Sequence, residues 1–298
     1  MNTILSVTGL SKAYGSIQAL KNVSLTIPKG SVFGILGPNG SGKTTLMSIV
    51  LDILKADTGT FHWFALPNTK EDRKRIGSLL ETPNFYHYLS AVDNLQVTKA
   101  ISGRGSNEAI DEVLKIVKLY ERRKSRFSSY SLGMKQRLAI AGALLGKPEV
   151  LLLDEPTNGL DPVGIAEIRD LIKELAQQGI TIIIASHLLD EVEKICTHVA
   201  ILKKGELLTA GPVAEALSNE DIVELSAQHI DNLEACVQQL GGFSSLVKVE
   251  GKIQLYYPVG TANLTAINQH CFNQGIVLNL LLHRKKSLET KFFELTND

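Results

Sequence analysis

Hydrophobic and polar positions change rhythm several times along the chain. ILSVTGLSKAYG, ALKNVSLTIPKG and SVFGILG alternate or run apolar and stop at Gly or Pro-Lys-Gly, which predicts strands. GKTTLMSIVLDIL then carries Leu46, Ile49, Val50, Ile53 and Leu54 at helical spacing, an apolar face of about three turns. ADTGT predicts a turn, and TFHWFAL a further strand. Residues 82–148 change character and hold helical patterns, among them NEAIDEVLKIVKLY and LGMKQRLAIAGALLG. The latter stops at Gly146 with Pro148 just beyond, a common helix ending. This segment predicts a helical insertion in an α/β core.

EVLLLDEP and ITIIIASH are short buried-strand patterns ending in polar residues, and the helix pattern IAEIRDLIKELAQQG precedes the second. Strand, helix, strand at this spacing implies a parallel sheet covered by helices. HVAILKKGELLTAG predicts a hairpin that ends the core near residue 212. Beyond about residue 218 the order IVELSA, LEACVQQLG, LVKVE, KIQLYY, LTAINQHCFNQG and VLNLLL reads β-α-β-β-α-β. That order predicts a small ferredoxin-like domain over 218–298, closed by a helical stretch LETKFFEL. Nothing in it clusters chemically, so packing or dimerisation is its expected role.

Composition narrows the class. The 298 residues suggest two domains, and 44% hydrophobic content supplies a real core. Lysine plus arginine number 31, and aspartate plus glutamate also 31. That balance gives no electrostatic footprint for nucleic acid, and no nucleic-acid partner is expected. Cys196, Cys236 and Cys271 are sparse and lie in no CxxC pair, as expected of reduced thiols in the cytosol. The N-terminus lacks the charge and apolar run of a signal peptide, and no apolar run approaches a bilayer span. Any service to a membrane is expected to pass through a partner.

The chemistry concentrates in a few stretches. GPNGSGKTT comprises Gly37, Pro38, Asn39, Gly40, Ser41, Gly42, Lys43, Thr44 and Thr45, and matches GxxxxGK[ST] between a strand and a helix. Its glycines let backbone N–H groups converge on an anion, and the helix adds its positive end. Lys43 places a charge on the β- and γ-phosphates of a nucleotide, and Thr44 offers a hydroxyl to Mg²⁺. In VLLLDEP, Asp154 falls at the carboxyl end of a buried strand, where α/β sheets present ligand groups. A hard oxygen there suits Mg²⁺. Glu155 faces differently and can polarise a water against the γ-phosphate.

Phosphate loop, serine-glycine helix start, LLLDEPTNGLD and a strand ending at His187, in that order, resemble an ABC-type ATPase subunit over residues 1–215. The resemblance implies a P-loop α/β core with an antiparallel β-subdomain, ATP and Mg²⁺ as cofactors, and an ATPase dimer serving membrane permeases. Tyr14 falls where the family stacks an aromatic ring on adenine. Asp161 matches the loop that communicates across the dimer, although it also reads as a helix cap. His187 matches the switch histidine at the γ-phosphate. Ser131 and Gly133 match the signature helix that closes over the partner's nucleotide.

Two departures stand out. Glu81 occupies the nearest equivalent of a glutamine that reaches Mg²⁺, and Met134 stands in YSLGMKQRL where the signature has glutamine. Glu81, the YSLGMKQRL form and the SLETKFFELTN ending resemble bacitracin, lantibiotic and drug efflux ATPases. This implies a catalytic subunit of an exporter at the inner face of the membrane. An importer ATPase and a non-transport ABC ATPase are the alternatives.

Overall fold

The computed structural model describes residues 3–64, 69, 71–80, 83–216, 220–285, 288 and 292. It divides into two compact units, Met1–Val213 and Ala214–Asp298. In chain order the first unit contains β1 (Thr3–Tyr14), β2 (Ile17–Pro28), β3 (Val32–Leu36), α1 (Lys43–Val50), β4 (Thr58–Trp63) and β5 (Ile76–Leu79). The helical insertion follows as α2 (Ala91–Ser102), α3 (Asn107–Ile116) and α4 (Leu132–Leu144). Then come β6 (Val150–Asp154), α5 (Pro162–Gln177), β7 (Thr181–Ser186), α6 (Leu189–Ile195), β8 (His198–Lys203) and β9 (Glu206–Pro212).

The central sheet has the order β5-β6-β7-β3-β8-β9, parallel except for the β8–β9 hairpin. Every residue of β3, β6 and β7 is buried. Their unbroken apolar runs follow from this, because helices cover both faces of a parallel sheet. A second, antiparallel sheet β2-β1-β4 packs its apolar face into the same core as α1 and β3. Trp63 is nearly fully buried there and donates its indole N–H to Val50 O at 2.7 Å.

Helix α1 is shorter than its periodicity implies. It ends at Val50, and Asp52 adopts φ 61°, a left-handed turn that stops the ladder. Leu54 still packs on the core, whereas Ile53 is 67% exposed. ADTGT also differs in part, since its last residues already belong to β4.

The second unit contains β10 (Glu220–Ala227), α8 (Ile230–Gln238), β11 (Ser245–Val249), β12 (Lys252–Pro258), α9 (Leu264–Asn273) and β13 (Leu278–Lys285), preceded by the short α7 (Val213–Ala216). Its strands are antiparallel in the order β11-β12-β10-β13, the ferredoxin-like arrangement. Val223, Leu225, Leu233, Val237, Ile253, Leu255 and Ile267 form its core. Cys236 and Cys271 join that core, and burial pushes the Cys271 thiol up to about 12, aided by its Cys236 neighbour. Most of LETKFFEL lies outside the described residues. Among the described residues, no helix is long and apolar enough to cross a membrane.

Candidate functional site

The loop between β3 and α1 folds tightly on itself. Ser41 N donates to Pro38 O at 3.1 Å, and α1 begins at Lys43 with no side-chain cap on its N-terminus. Two glycines are required sterically. At Gly37, a Cβ would lie 2.3 Å from Ser41 Oγ and 2.4 Å from Leu202 O. Gly42 adopts φ 106°, and its Cβ would meet Ala19 O at 2.4 Å. The loop is therefore a concave backbone surface that side chains would fill.

Lys43 is almost fully buried, and its Nζ donates to Gly37 O at 2.7 Å and Pro38 O at 3.3 Å. Burial pushes its ammonium below the usual lysine range, with the Glu155 and Asp154 carboxylates acting against that shift. Glu155 Oε1 lies 3.9 Å from Nζ. Thr44 Oγ1 donates to Asp154 Oδ2 at 2.8 Å, joining the start of α1 to the end of β6. Ser41 Oγ is buried with no hydrogen-bond partner among the described residues. A buried donor in a concave loop with a desolvated ammonium fits a bound phosphate group.

Glu155 takes φ 48°, and its N–H donates to Ala185 O on the neighbouring strand at 2.9 Å. Such a left-handed backbone is costly for a glutamate, and strain of this kind gathers at functional sites. It aims the carboxylate at His187, whose Nδ1 lies 2.8 Å from Glu155 Oε2. Ser186 Oγ accepts the Leu188 N–H at 3.0 Å and turns the chain around His187.

A cleft of about 990 Å³ opens beside these groups, and Gly37, Pro38 and His187 are not among its lining residues. Asn39 to Thr45, Asp154 and Glu155 line it, as do Ser16 to Ala19 from the start of β2. Lys204 also lines it, as do Gln136 and Asn158, which lie within YSLGMKQRL and LLLDEPTNGLD. Gln136 comes from α4, Asn158 from the turn after β6 and Lys204 from the β8–β9 hairpin.

The remaining expected residues sit elsewhere. Tyr14, 49% exposed at the end of β1, is not among the lining residues, and the Lys12 ammonium stands 5.8 Å over its ring. Ser131 caps α4 by accepting Met134 N–H at 3.3 Å, and Gly133 lies in the first turn of that helix. Leu132 opens α4 with negative φ, so the missing glycine there causes no strain. Asp161 caps α5 by accepting Gly164 N–H at 2.8 Å. Gly159 approaches the Leu132 side chain, so the NGLD turn packs on the start of α4. Glu81 lies outside the described residues.

These features define a nucleotide-binding ATPase cassette. Residues 20–158 match the family described as ABC transporter. Over 302 residues the chain is 40% identical to the bacitracin transport ATP-binding protein BcrA of Bacillus licheniformis, spanning 99% of this chain and 98% of that protein. It is also 40% identical over 205 residues to the lantibiotic transport ATP-binding protein SrtF of Streptococcus pyogenes, 69% of this chain and 89% of that one. Among solved structures, the ADP conformation of the ABC transporter cassette MJ1267 gives a TM-score of 0.67 at 27% identity, covering 72% of this chain and 93% of that chain. A dimeric post-hydrolysis state of the cassette MJ0796, bound to ADP and Pi, gives 0.62 at 28% identity, covering 70% and 98%. The chain belongs to the ABC transporter family, as an ATP-binding subunit that hydrolyses ATP.

Proposed function

We propose that this subunit powers export through separate membrane permease chains, seated on them at the inner face of the cell membrane. The observation that carries this is full-length similarity to a bacitracin transport ATP-binding protein, second unit included. The bacitracin transport named for that relative supports a cargo of related chemistry for this system.

Lys43 and the loop amides bind the ATP phosphates. Thr44 and Asp154 would hold Mg²⁺, with Glu81 as a further oxygen donor, and the ion would supply charge neutralisation on the phosphate oxygens. Glu155 polarises the attacking water, and His187 orients that carboxylate and faces the γ-phosphate. Tyr14 stacks on adenine from the end of β1. Two copies of the chain, or this chain and a relative, sandwich two nucleotides. The exposed start of α4 supports this, because Ser131 is a surface residue at a helix N-terminus that can meet a second chain's phosphate. Asp161, packed beside it through the NGLD turn, relays closure between the two sites. Insertion residues 82–95 pass the motion to the permease.

The test is co-expression with the permease encoded in a neighbouring reading frame. Co-purification and cargo-stimulated phosphate release are expected. A neighbouring solute-binding lipoprotein, with cargo taken up rather than expelled, would contradict export.

A further inference from the structure

Lys204 stands at the tip of the β8–β9 hairpin, at the rim of the same cleft as the phosphate loop. Its backbone is held there firmly. Gly205 N donates to Ser41 O at 3.1 Å, and Lys21 N donates to Gly205 O at 2.8 Å. The hairpin tip is therefore pinned to the phosphate loop on one side and to β2 on the other. The fit is close, since a Cβ at Gly205 would stand 2.9 Å from Ala19 O.

Lys204 itself adopts φ 48°. Asparagine or glycine takes that conformation at lower cost than lysine. The hairpin itself sets this backbone, because Lys204 and Gly205 form a two-residue loop in which both positions take positive φ, and the turn therefore holds Lys204 in a fixed place at the cleft rim.

The neighbouring lysines are engaged. Lys21 pairs with Glu206 at 3.0 Å, and Lys43 is folded onto Gly37 and Pro38. Lys204 makes no ion pair with the described residues and is exposed. The cleft's acidic groups, Asp154 and Glu155, come from the end of β6, whereas Lys204 enters beside Ser41 and Ala19.

We propose that Lys204 is a further nucleotide-binding residue, a cation fixed by the hairpin that contacts the polyphosphate of the bound nucleotide. This rests on the assignment of the cleft as the ATP site. Because the contact is ion-to-ion at an exposed rim, its contribution is modest and falls with salt.

The test is titration calorimetry of ATP on the full chain at low and high salt, with Lys204→Asn and Lys204→Arg. Asparagine keeps the left-handed turn and removes the charge. Lys204→Asn is expected to weaken ATP binding about 3- to 10-fold at low salt, with the loss shrinking at high salt. Lys204→Arg restores affinity. Wild-type affinity in Lys204→Asn at low salt overturns the proposal. So does a loss that is equal at both salts or that arginine fails to rescue, which marks a structural role. A wild-type chain that binds no ATP would instead overturn the site assignment itself.

Discussion

His187 Nδ1 and Glu155 Oε2 stand 2.8 Å apart across the ends of β7 and β6. The strand register places Asp154 opposite Ala185, so each residue lies just beyond the last ladder pair. An ionised carboxylate only accepts, so Nδ1 is the donor, which fixes the imidazole tautomer. In the mechanism proposed above, the pair positions the base that acts on water. His187→Ala should therefore cut kcat about 100-fold or more while leaving the KM for ATP within a few-fold. Steady-state phosphate release measures this, and an unchanged kcat would remove His187 from the mechanism.

Gly37→Ala tests the loop's steric argument. The new methyl would press on Ser41 Oγ and Leu202 O, both part of the loop's surroundings. The loop must deform, and ATP affinity should fall about 10-fold or more while the helical content persists. Calorimetry with circular dichroism separates the two, and normal affinity would show that the loop tolerates a side chain.

Ser131→Arg tests the signature helix. The substitution removes the α4 cap and puts bulk on the face that would meet a second chain. Nucleotide binding should persist while ATP-driven dimerisation is lost. The lost cap costs about 1 kcal/mol of stability, too little to unfold the unit. Closure and turnover at the normal rate would make this stretch a helix start only.

Glu149 carries a pH signature. Hydrogen bonds from Arg75, at 2.7 Å, and Lys29 hold its carboxyl below the usual range. A lowered carboxylate pKa stabilises the fold above the unfolded-state value and loses that contribution as pH falls through the folded-state value. Both partners are more than a third exposed, so Glu149→Gln should cost only about 0.5–1 kcal/mol at neutral pH. The difference from wild type should vanish in acid below the carboxylate range. Urea melts across pH check this, and a difference that grows on acidification would contradict it.

The parts legible in the sequence are those whose chemistry is local. GPNGSGKTT and VLLLDEP carry their roles in consecutive residues, because an anion cradle and a strand-end acid need only a loop and a strand terminus. The β-α-β-β-α-β order of the second unit was legible because its strands and helices keep distinct periods. The end of α1 was not, since Ile53 continues the helical period while Asp52 breaks the backbone. Lys204 was illegible for another reason. It reaches the cleft only because β8 lies beside β3 in the central sheet, a tertiary fact that no local pattern encodes.

The central claim is that Glu155 acts on water while two chains close over ATP. Glu155→Gln keeps the side chain's shape and removes the base. Size-exclusion chromatography with light scattering, run with and without ATP, should show this variant dimeric with ATP and monomeric without it, with phosphate release abolished. A Glu155→Gln chain that remains monomeric with ATP and hydrolyses it at the wild-type rate would contradict the account.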